Sequence, residues 1–356
     1  MLPRAHKGRG ATCNPEGRYE RHAREAFDDG WGSLDELAME PSPRTEALPD
    51  RARTIITHNQ SPDVPFDQSI NPYRGCEHGC IYCYARPTHA FLGLSPGLDF
   101  ETRIFVKQDA ARLLRQELAQ PGYRCRPISL GANTDPYQPL ERRLRVTRAI
   151  LEVLAEARHP VGIVTKSALV CRDLDLLAPM ARDGLANVHL SLTTLDPKIA
   201  RTLEPRASSP QRRLMAMRTL AEAGVPVGVM VAPIIPGLTD AEIEAILEQA
   251  AAAGASTAGR VLLRLPYEVK DLFAGWLEAH FPLRARHVLS LVRQCRGGRL
   301  NDPDFGSRMR GQGAFAELIA QRFRKAVRRL GLDRRALPQR TDLFRRPTAD
   351  GQLSLL

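Results

Sequence analysis

Short apolar runs alternate with amphipathic stretches through most of this chain. Phe66 to Tyr73 is short and extended. Arg103 to Lys107, Pro127 to Gly131, Val161 to Thr165, Val188 to Thr193, Val227 to Ala232 and Arg260 to Leu265 read as strands. The stretches between them, Asp109 to Ala119, Glu141 to Ala157, Leu174 to Arg182, Gln211 to Ala223 and Asp240 to Ala253, read as helices. In the first of these Ala110, Leu113, Leu114 and Leu118 share one face, the spacing of an amphipathic helix. Gly224 and Gly254 supply stops for the last two. Strands alternating with helices of one to two dozen residues are βαβ units around a parallel sheet, so the pattern predicts an α/β fold. In parallel barrels the chemistry sits where the strands end at their C-terminal edge.

The flanks differ. Residues 1–60 are polar with little periodicity and read as an arm. Residues 61–265 hold the alternating core. Residues 266–335 form a helical cap, with helices expected over Tyr267 to His280, Leu283 to Arg296 and Gly313 to Leu330. The last carries a stripe of Phe315, Leu318, Ile319, Phe323, Ala326, Val327 and Leu330. Residues 336–356 read as a basic flexible tail, low in hydrophobics after Pro338.

Candidate chemistry is densest in Asn71 to Arg86, where Cys76, Cys80 and Cys83 are spaced C-x3-C-x2-C. Thiolate is a soft ligand suited to iron–sulfur clusters and to zinc. Gly75 and Gly79 let such a loop curl. An electron-transfer cluster normally has four cysteine ligands, so a set of three leaves one iron open, as a catalytic zinc keeps one position free. Zinc is the rival, with His78 or His89 as fourth ligand. His78 would strain the site from inside the loop, whereas His89 could reach. Seven cysteines is an odd number and nothing else reads as secreted, which argues against a disulfide framework. Cys13, Cys125, Cys171 and Cys295 stand singly and read as inert thiols.

With Tyr82 as the aromatic residue, C-x3-C-x-aromatic-C resembles the signature of the radical SAM superfamily. Asn71 to Arg86, with Thr165-Lys166-Ser167 and Glu204-Pro205-Arg206, resembles the branch around spore photoproduct lyase, the DNA repair photolyase-like proteins, over residues 50 to 265. The resemblance implies a partial (β/α)6 barrel and a [4Fe–4S] cluster on Cys76, Cys80 and Cys83. It also implies S-adenosylmethionine as cofactor and an electron donor such as a ferredoxin or flavodoxin. The reduced cluster would cleave S-adenosylmethionine to a 5′-deoxyadenosyl radical, which takes a hydrogen atom from substrate.

The resemblance further implies that Tyr82 packs near the adenine and that Lys166, with Ser167, contacts the cofactor carboxylate or the substrate. The usual Gly-Gly-Glu-like patch for the cofactor amino group is missing, and Asn133, Thr134 and Asp135 are the replacements available. Asp135-Pro136 also suits a plain turn. A lysine directly after an apolar strand is costly in a core and apt at a mouth. Ser191 and Thr193 point to one side of their strand, toward a ligand or a neighbouring strand. Glu204, Arg206 and Arg213 offer acceptors and donors for a ribose diol and a carboxylate, and Ile234 in a proline-stiffened strand end suits an adenine face. Photoproduct lyases place a hydrogen-donor cysteine near the end of the second strand. Here the nearest, Cys125, precedes that strand, so Tyr137, Tyr84 and Cys171 are the candidate donors.

Charge bears on partners. The formal net charge is +11, and between Gln321 and Pro347 ten basic residues face two acidic ones. Such a block suits a polyanion, nucleic acid first, or is simply a solvated helix face. Val225 to Leu238 is too short for a membrane span and is broken by Pro226, Pro233 and Pro236. With no signal-like opening the chain is expected to be cytoplasmic. Gln352 to Leu356 resembles the peptide that docks on the bacterial DNA sliding clamp, with Gln339 to Phe344 a looser second candidate. Two other readings remain: a zinc-ligated nucleic-acid-binding protein, and a cluster used only as a staple or electron carrier.

Overall fold

The computed structural model describes residues 6–20, 44–333 and 338–347. Its strands are β1 (Glu46–Pro49), β2 (Ile56–His58), β3 (Gln68–Ile70), β4 (Tyr73–Arg74), β5 (Arg103–Val106), β6 (Ile128–Leu130), β7 (Val161–Thr165), β8 (Ala186–Ser191), β9 (Val227–Ile234) and β10 (Thr257–Leu262). Seven of them form one sheet in the order β10-β9-β8-β7-β6-β3-β2. Every neighbour from β3 to β10 is parallel, and β2 joins the edge antiparallel to β3. This is the expected α/β partial barrel, open between β10 and β2.

Period-two alternation shapes its inside. Ile128, Leu130, Val161 and Ile163 are fully buried in the main hydrophobic core. On the other face of these strands, Ser129, Gly131 and Val164 line a cavity together with Ser69 and Ala232. These are mostly small side chains, and they leave the upper barrel hollow. Lower down, a Cβ on Gly228 would come within 2.3 Å of His189, and one on Gly162 within 3.2 Å of Asn187. Two glycines thus make room for two larger polar side chains that fill the floor.

The opening is bridged from outside the sheet. Gly306 N–H donates to Asp63 Oδ1 at 2.7 Å, Arg308 Nη2 to Ser61 Oγ at 2.6 Å, and Leu262 N–H to Met309 O at 3.0 Å. Arg296, nearly fully buried, braces this loop by donating to the carbonyls of Leu262, Leu263, Ser307 and Arg308.

Several elements depart from expectation. The helix expected over Glu141 to Ala157 is two, Glu141–Leu144 and Val146–Glu156, because Arg145 takes a left-handed φ of 54°. The last strand begins three residues early, at Thr257; it is the edge strand and only Leu262 in it is buried, so hydrophobicity did not mark it. A short helix, Pro197–Leu203, starts where Asp196 accepts from Lys198 N–H at 2.7 Å. The arm joins the fold where it is described. β1 pairs with β5 in a second sheet, β1-β5-β4, and Gly10 and Ala11 bond Glu101 beside the thiol loop.

The tail also differs. Gln339 Nε2 donates to Val161 O at 2.7 Å, Arg345 N–H donates to Ala157 O at 2.8 Å, and the Phe344 ring lies 5.6 Å from Tyr123 and 5.4 Å from His159. Residues 339–346 therefore pack beneath the barrel, and Leu343 and Phe344, in the looser of the two clamp-like segments, pack against the core. Gln352 to Leu356 lie outside the described residues. Among the described residues, four of the ten basic residues in the block are ion-paired: Arg322 with Glu244, Arg324 with Glu317, Arg329 with Glu248 and Arg340 with Asp342. Among the described residues no helix is long and apolar enough to cross a membrane.

Candidate active site

The thiol loop follows β3 and β4. Gly75 and Gly79 take φ of 86° and 67°, the left-handed turns the spacing asked for. Burial pushes the Cys76 thiol well above its usual range, and the Asp135 carboxylate and the Cys80 and Cys83 sulfurs push it further. Burial and then Glu204 raise Cys80 to about 12, with Lys166 pulling the other way. The three thiols are unbridged and lie near enough to feel one another.

A buried ion pair holds the loop's shape. Arg86 and Glu101 are both 0% exposed. Arg86 Nε donates to Cys80 O at 2.9 Å, and its two amino groups reach the carbonyls of Gly79, Pro96 and Gly97 and the Glu101 carboxylate. Glu101 also accepts Gly10 N–H at 3.0 Å and Ala11 N–H at 2.8 Å. The N-terminal segment is thereby strapped against the loop, so closely that a Cβ on Gly10 would fall 1.8 Å from Gly79 O. Nothing in the periodicity signalled Glu101 or the strap. Trp276, Phe273 and Leu272 of the helix Val269–His280 join Ala11, Cys80, Ile81 and Tyr82 in a second apolar cluster, so part of the cap covers the loop.

The strand-end residues divide into two groups. Glu204 is buried and accepts from Thr193 Oγ1 at 2.7 Å and from the Tyr82 hydroxyl and Arg213. Burial alone would raise its pKa, but Arg213 and Lys166 outweigh that and hold it at about 2. Arg213 also donates to Ser191 O at 2.8 Å. Glu204, Arg213 and Thr193 therefore bond one another and Tyr82 of the loop, and the Ser191 carbonyl joins them through Arg213. Asp135 accepts from Thr165 Oγ1 at 2.7 Å and from Lys166 N–H at 2.7 Å and lies 3.3 Å from His78 Nδ1. Those contacts outweigh burial and bring it to about 2. Thr134 donates to Tyr73 O at 2.8 Å, Ser167 caps a turn by accepting from Leu169 N–H, and Arg206 pairs with Glu77 at 3.2 Å. Ile234 is in the core; Ala232 and Pro233 face the cavity instead.

The second group faces a cavity of about 800 Å³ at the C-terminal ends of the strands. Tyr82 and Tyr84, which flank Cys83, line it together with Asn133 and Lys166 of the strand-end loops. The Lys166 ammonium lies 5.8 Å from the centre of the Tyr82 ring. Burial pulls its pKa down, but Cys80 and Glu204 raise it more, so it stays charged. Five cationic residues line the cavity, Arg74, Lys107, Lys166, Arg264 and Arg308, and among the described residues no carboxylate does. Arg264 is not among the candidates the sequence offers, although it follows the apolar run Val261 to Leu263 as Lys166 follows β7. Of the candidate hydrogen donors only Tyr84 lines the cavity. Tyr137 is fully buried with its hydroxyl on Asp173, and Cys171 contacts Ala216 O.

Residues 70–250 match the family model of the radical SAM superfamily. The chain belongs to the radical SAM superfamily. An uncharacterized protein of Mycobacterium tuberculosis is 37% identical to it over 281 residues, 78% of this chain and 79% of that protein. The radical SAM Nα-GlyT isomerase of Pseudomonas phage M6 is 26% identical over 194 residues, 53% of this chain and 38% of that one. Spore photoproduct lyase complexed with dinucleoside spore photoproduct superposes with a TM-score of 0.56 at 19% identity, covering 80% of this chain and 79% of that one. A mutant of that lyase with bound AdoMet and dinucleoside spore photoproduct gives 0.55 at 18%, over 80% and 78%. At such identity the likeness is one of fold. As a radical SAM protein the chain is an enzyme, and the superfamily implies a [4Fe–4S] cluster and S-adenosylmethionine.

The residues fit that group. A cubane takes one thiol per iron, which one curled loop with three thiols supplies. Zinc needs its ligands around a single ion. Of the two histidines that could complete a zinc site, His78 Nδ1 lies 3.3 Å from the Asp135 carboxylate and His89 Nε2 lies 3.0 Å from Arg103 O.

Proposed function

We propose that Cys76, Cys80 and Cys83 hold the [4Fe–4S] cluster, that S-adenosylmethionine sits between the thiol loop and the strand ends, and that the substrate is a nucleic acid. When bound, the pair supplies reductive cleavage of the cofactor's S–C5′ bond and a 5′-deoxyadenosyl radical. A single observation carries the reading: a cavity of about 800 Å³ at the strand ends shares a wall with the thiol loop through Tyr82 and Tyr84.

The chain's own groups have distinct parts. Lys166, without an ion pair among the described residues, presents an ammonium to the cofactor carboxylate. Asn133 offers an amide oxygen to the cofactor amino group, and Ala232 with Pro233 gives an apolar face for the adenine. Glu204, Arg213, Thr193 and Ser191 position Tyr82, and Asp135 with Thr134 and Ser167 fixes the loops that carry Asn133 and Lys166. Arg206 ties the segment after Glu204 to the thiol loop through Glu77. The cationic lining supports a polyanionic substrate, as do the fold relatives solved with a dinucleoside photoproduct. A low-potential donor of the ferredoxin or flavodoxin class supplies the electron.

Anaerobic reconstitution with iron and sulfide, then dithionite and S-adenosylmethionine, tests this. The wild type should be brown and release 5′-deoxyadenosine, and the triple Cys→Ala variant at 76, 80 and 83 should be colourless and inert. Wild-type protein that holds iron and sulfide yet releases no 5′-deoxyadenosine sinks the reading.

A further inference from the structure

Eight large apolar side chains are strongly exposed among the described residues, and five of them are aromatic: Tyr19, Tyr84, Phe91, Tyr267 and Phe305. All five belong to one surface. Tyr84 and Phe91 line the cavity mouth. The Tyr19 and Phe91 rings lie 5.2 Å apart, and the Arg18 guanidinium lies 4.9 Å from Tyr19, 5.4 Å from Phe91 and 4.1 Å from Tyr267. Across the opening, Arg264 lies 5.7 Å from the Tyr84 ring and Arg308 4.3 Å from Phe305. Tyr267 holds its place with a φ of 49°, a conformation residues other than glycine rarely adopt.

Rings exposed to this degree make poor packing and good stacking platforms. Alternation of arginine with aromatic side chains is what unpaired bases and their phosphates meet on single-strand binding proteins, because every base has a face to stack and a phosphate beside it. A paired duplex hides those faces. The charges agree: Arg18 and Arg308 are balanced by Glu268 and Asp63, whereas Arg264 has no ion pair among the described residues and its Nε no hydrogen-bond partner. A guanidinium left open at the mouth suits a phosphate. The cavity behind it, about 800 Å³, has room for a nucleoside turned inward as well as a cofactor.

We propose that this rim binds an unpaired polynucleotide strand, with bases stacked on Phe91, Tyr84 and Phe305, a phosphate on Arg264, and one nucleoside turned into the cavity. The proposal deepens the nucleic-acid reading above and rests on it.

Fluorescence anisotropy of the reconstituted holoenzyme tests it with one labelled twelve-nucleotide DNA, offered single-stranded and as a blunt duplex. The single strand should bind at least about tenfold more tightly than the duplex. Phe91→Ala and Phe305→Ala should each weaken single-strand binding about tenfold, and Arg264→Gln should also flatten its salt dependence. Met215→Ala, an equally exposed side chain on the outer helix Pro210–Glu222, should change nothing. A duplex bound as well as the strand overturns this proposal and leaves the nucleic-acid reading standing. Binding of neither, with 5′-deoxyadenosine still formed, overturns both while the radical chemistry stands. Rim variants that keep strand affinity but lose reduction by a flavodoxin assign the surface to the electron donor and also overturn the proposal.

Discussion

Two sets of charges lie close together in this molecule and are treated in opposite ways. Behind the thiol loop, Arg86 spends its donors on four carbonyls and Glu101, and Arg213 meets Glu204 and the Ser191 carbonyl. Around the cavity, Lys166 and Arg264 have no ion pair among the described residues. Buried charge is costly unless paired and hydrogen-bonded. The first set therefore reads as scaffold and the second as places kept for something else to bind. Charge content alone could not separate them.

That contrast can be broken where it is strongest. Arg86→Met leaves Glu101 buried without its partner and should cost about 3–5 kcal/mol in urea unfolding. Arg264→Met should cost no more than about 0.5 kcal/mol. Equal losses for the two would erase the distinction. Next, Lys166→Met should weaken S-adenosylmethionine binding about tenfold or more in equilibrium dialysis, the scale of a lost hydrogen bond to a charged group, with the fold intact by circular dichroism.

A smaller, pH-dependent effect sharpens the scaffold side. Glu204 is held at about 2 in the folded chain against an ordinary 4.5. A folded pKa below the unfolded one means the carboxylate stabilises fully above pH 4.5 and loses that contribution as pH falls toward 2. Thermal melts between pH 5 and pH 3 should fall more steeply for wild type than for Glu204→Gln. Smallest of all, Arg324→Ala breaks only the exposed pair with Glu317 and should shift stability by less than about 0.5 kcal/mol. A larger shift would mean that the basic helix matters more to the fold than its exposed pairs suggest.

The sheet is legible because strands such as β7 are apolar up to their last residue and sit between amphipathic helices. The thiol loop was legible from spacing and two glycines. Glu204 and Arg213 were legible as residues but not as partners, since a sequence does not say whether an acid and a base nine positions apart face a ligand or each other. Arg264 is hidden because the hydrophobic pattern starts the last strand three residues late, at Arg260 in place of Thr257, and runs it through that position. The segment 339–346, polar apart from Leu343 and Phe344, looked like tail because its anchoring bonds go to backbone carbonyls such as those of Val161 and Leu185, which leave no mark in composition.

The strap at Gly10 and Ala11 has a consequence for how the chain is made. Its anchor, Glu101, lies some ninety residues later in the sequence. A chain synthesised from its N-terminus cannot close that contact until Glu101 has emerged, by which time all three thiols have been made. Under the proposed cluster assignment, iron delivered before then would meet a loop whose strap is still open.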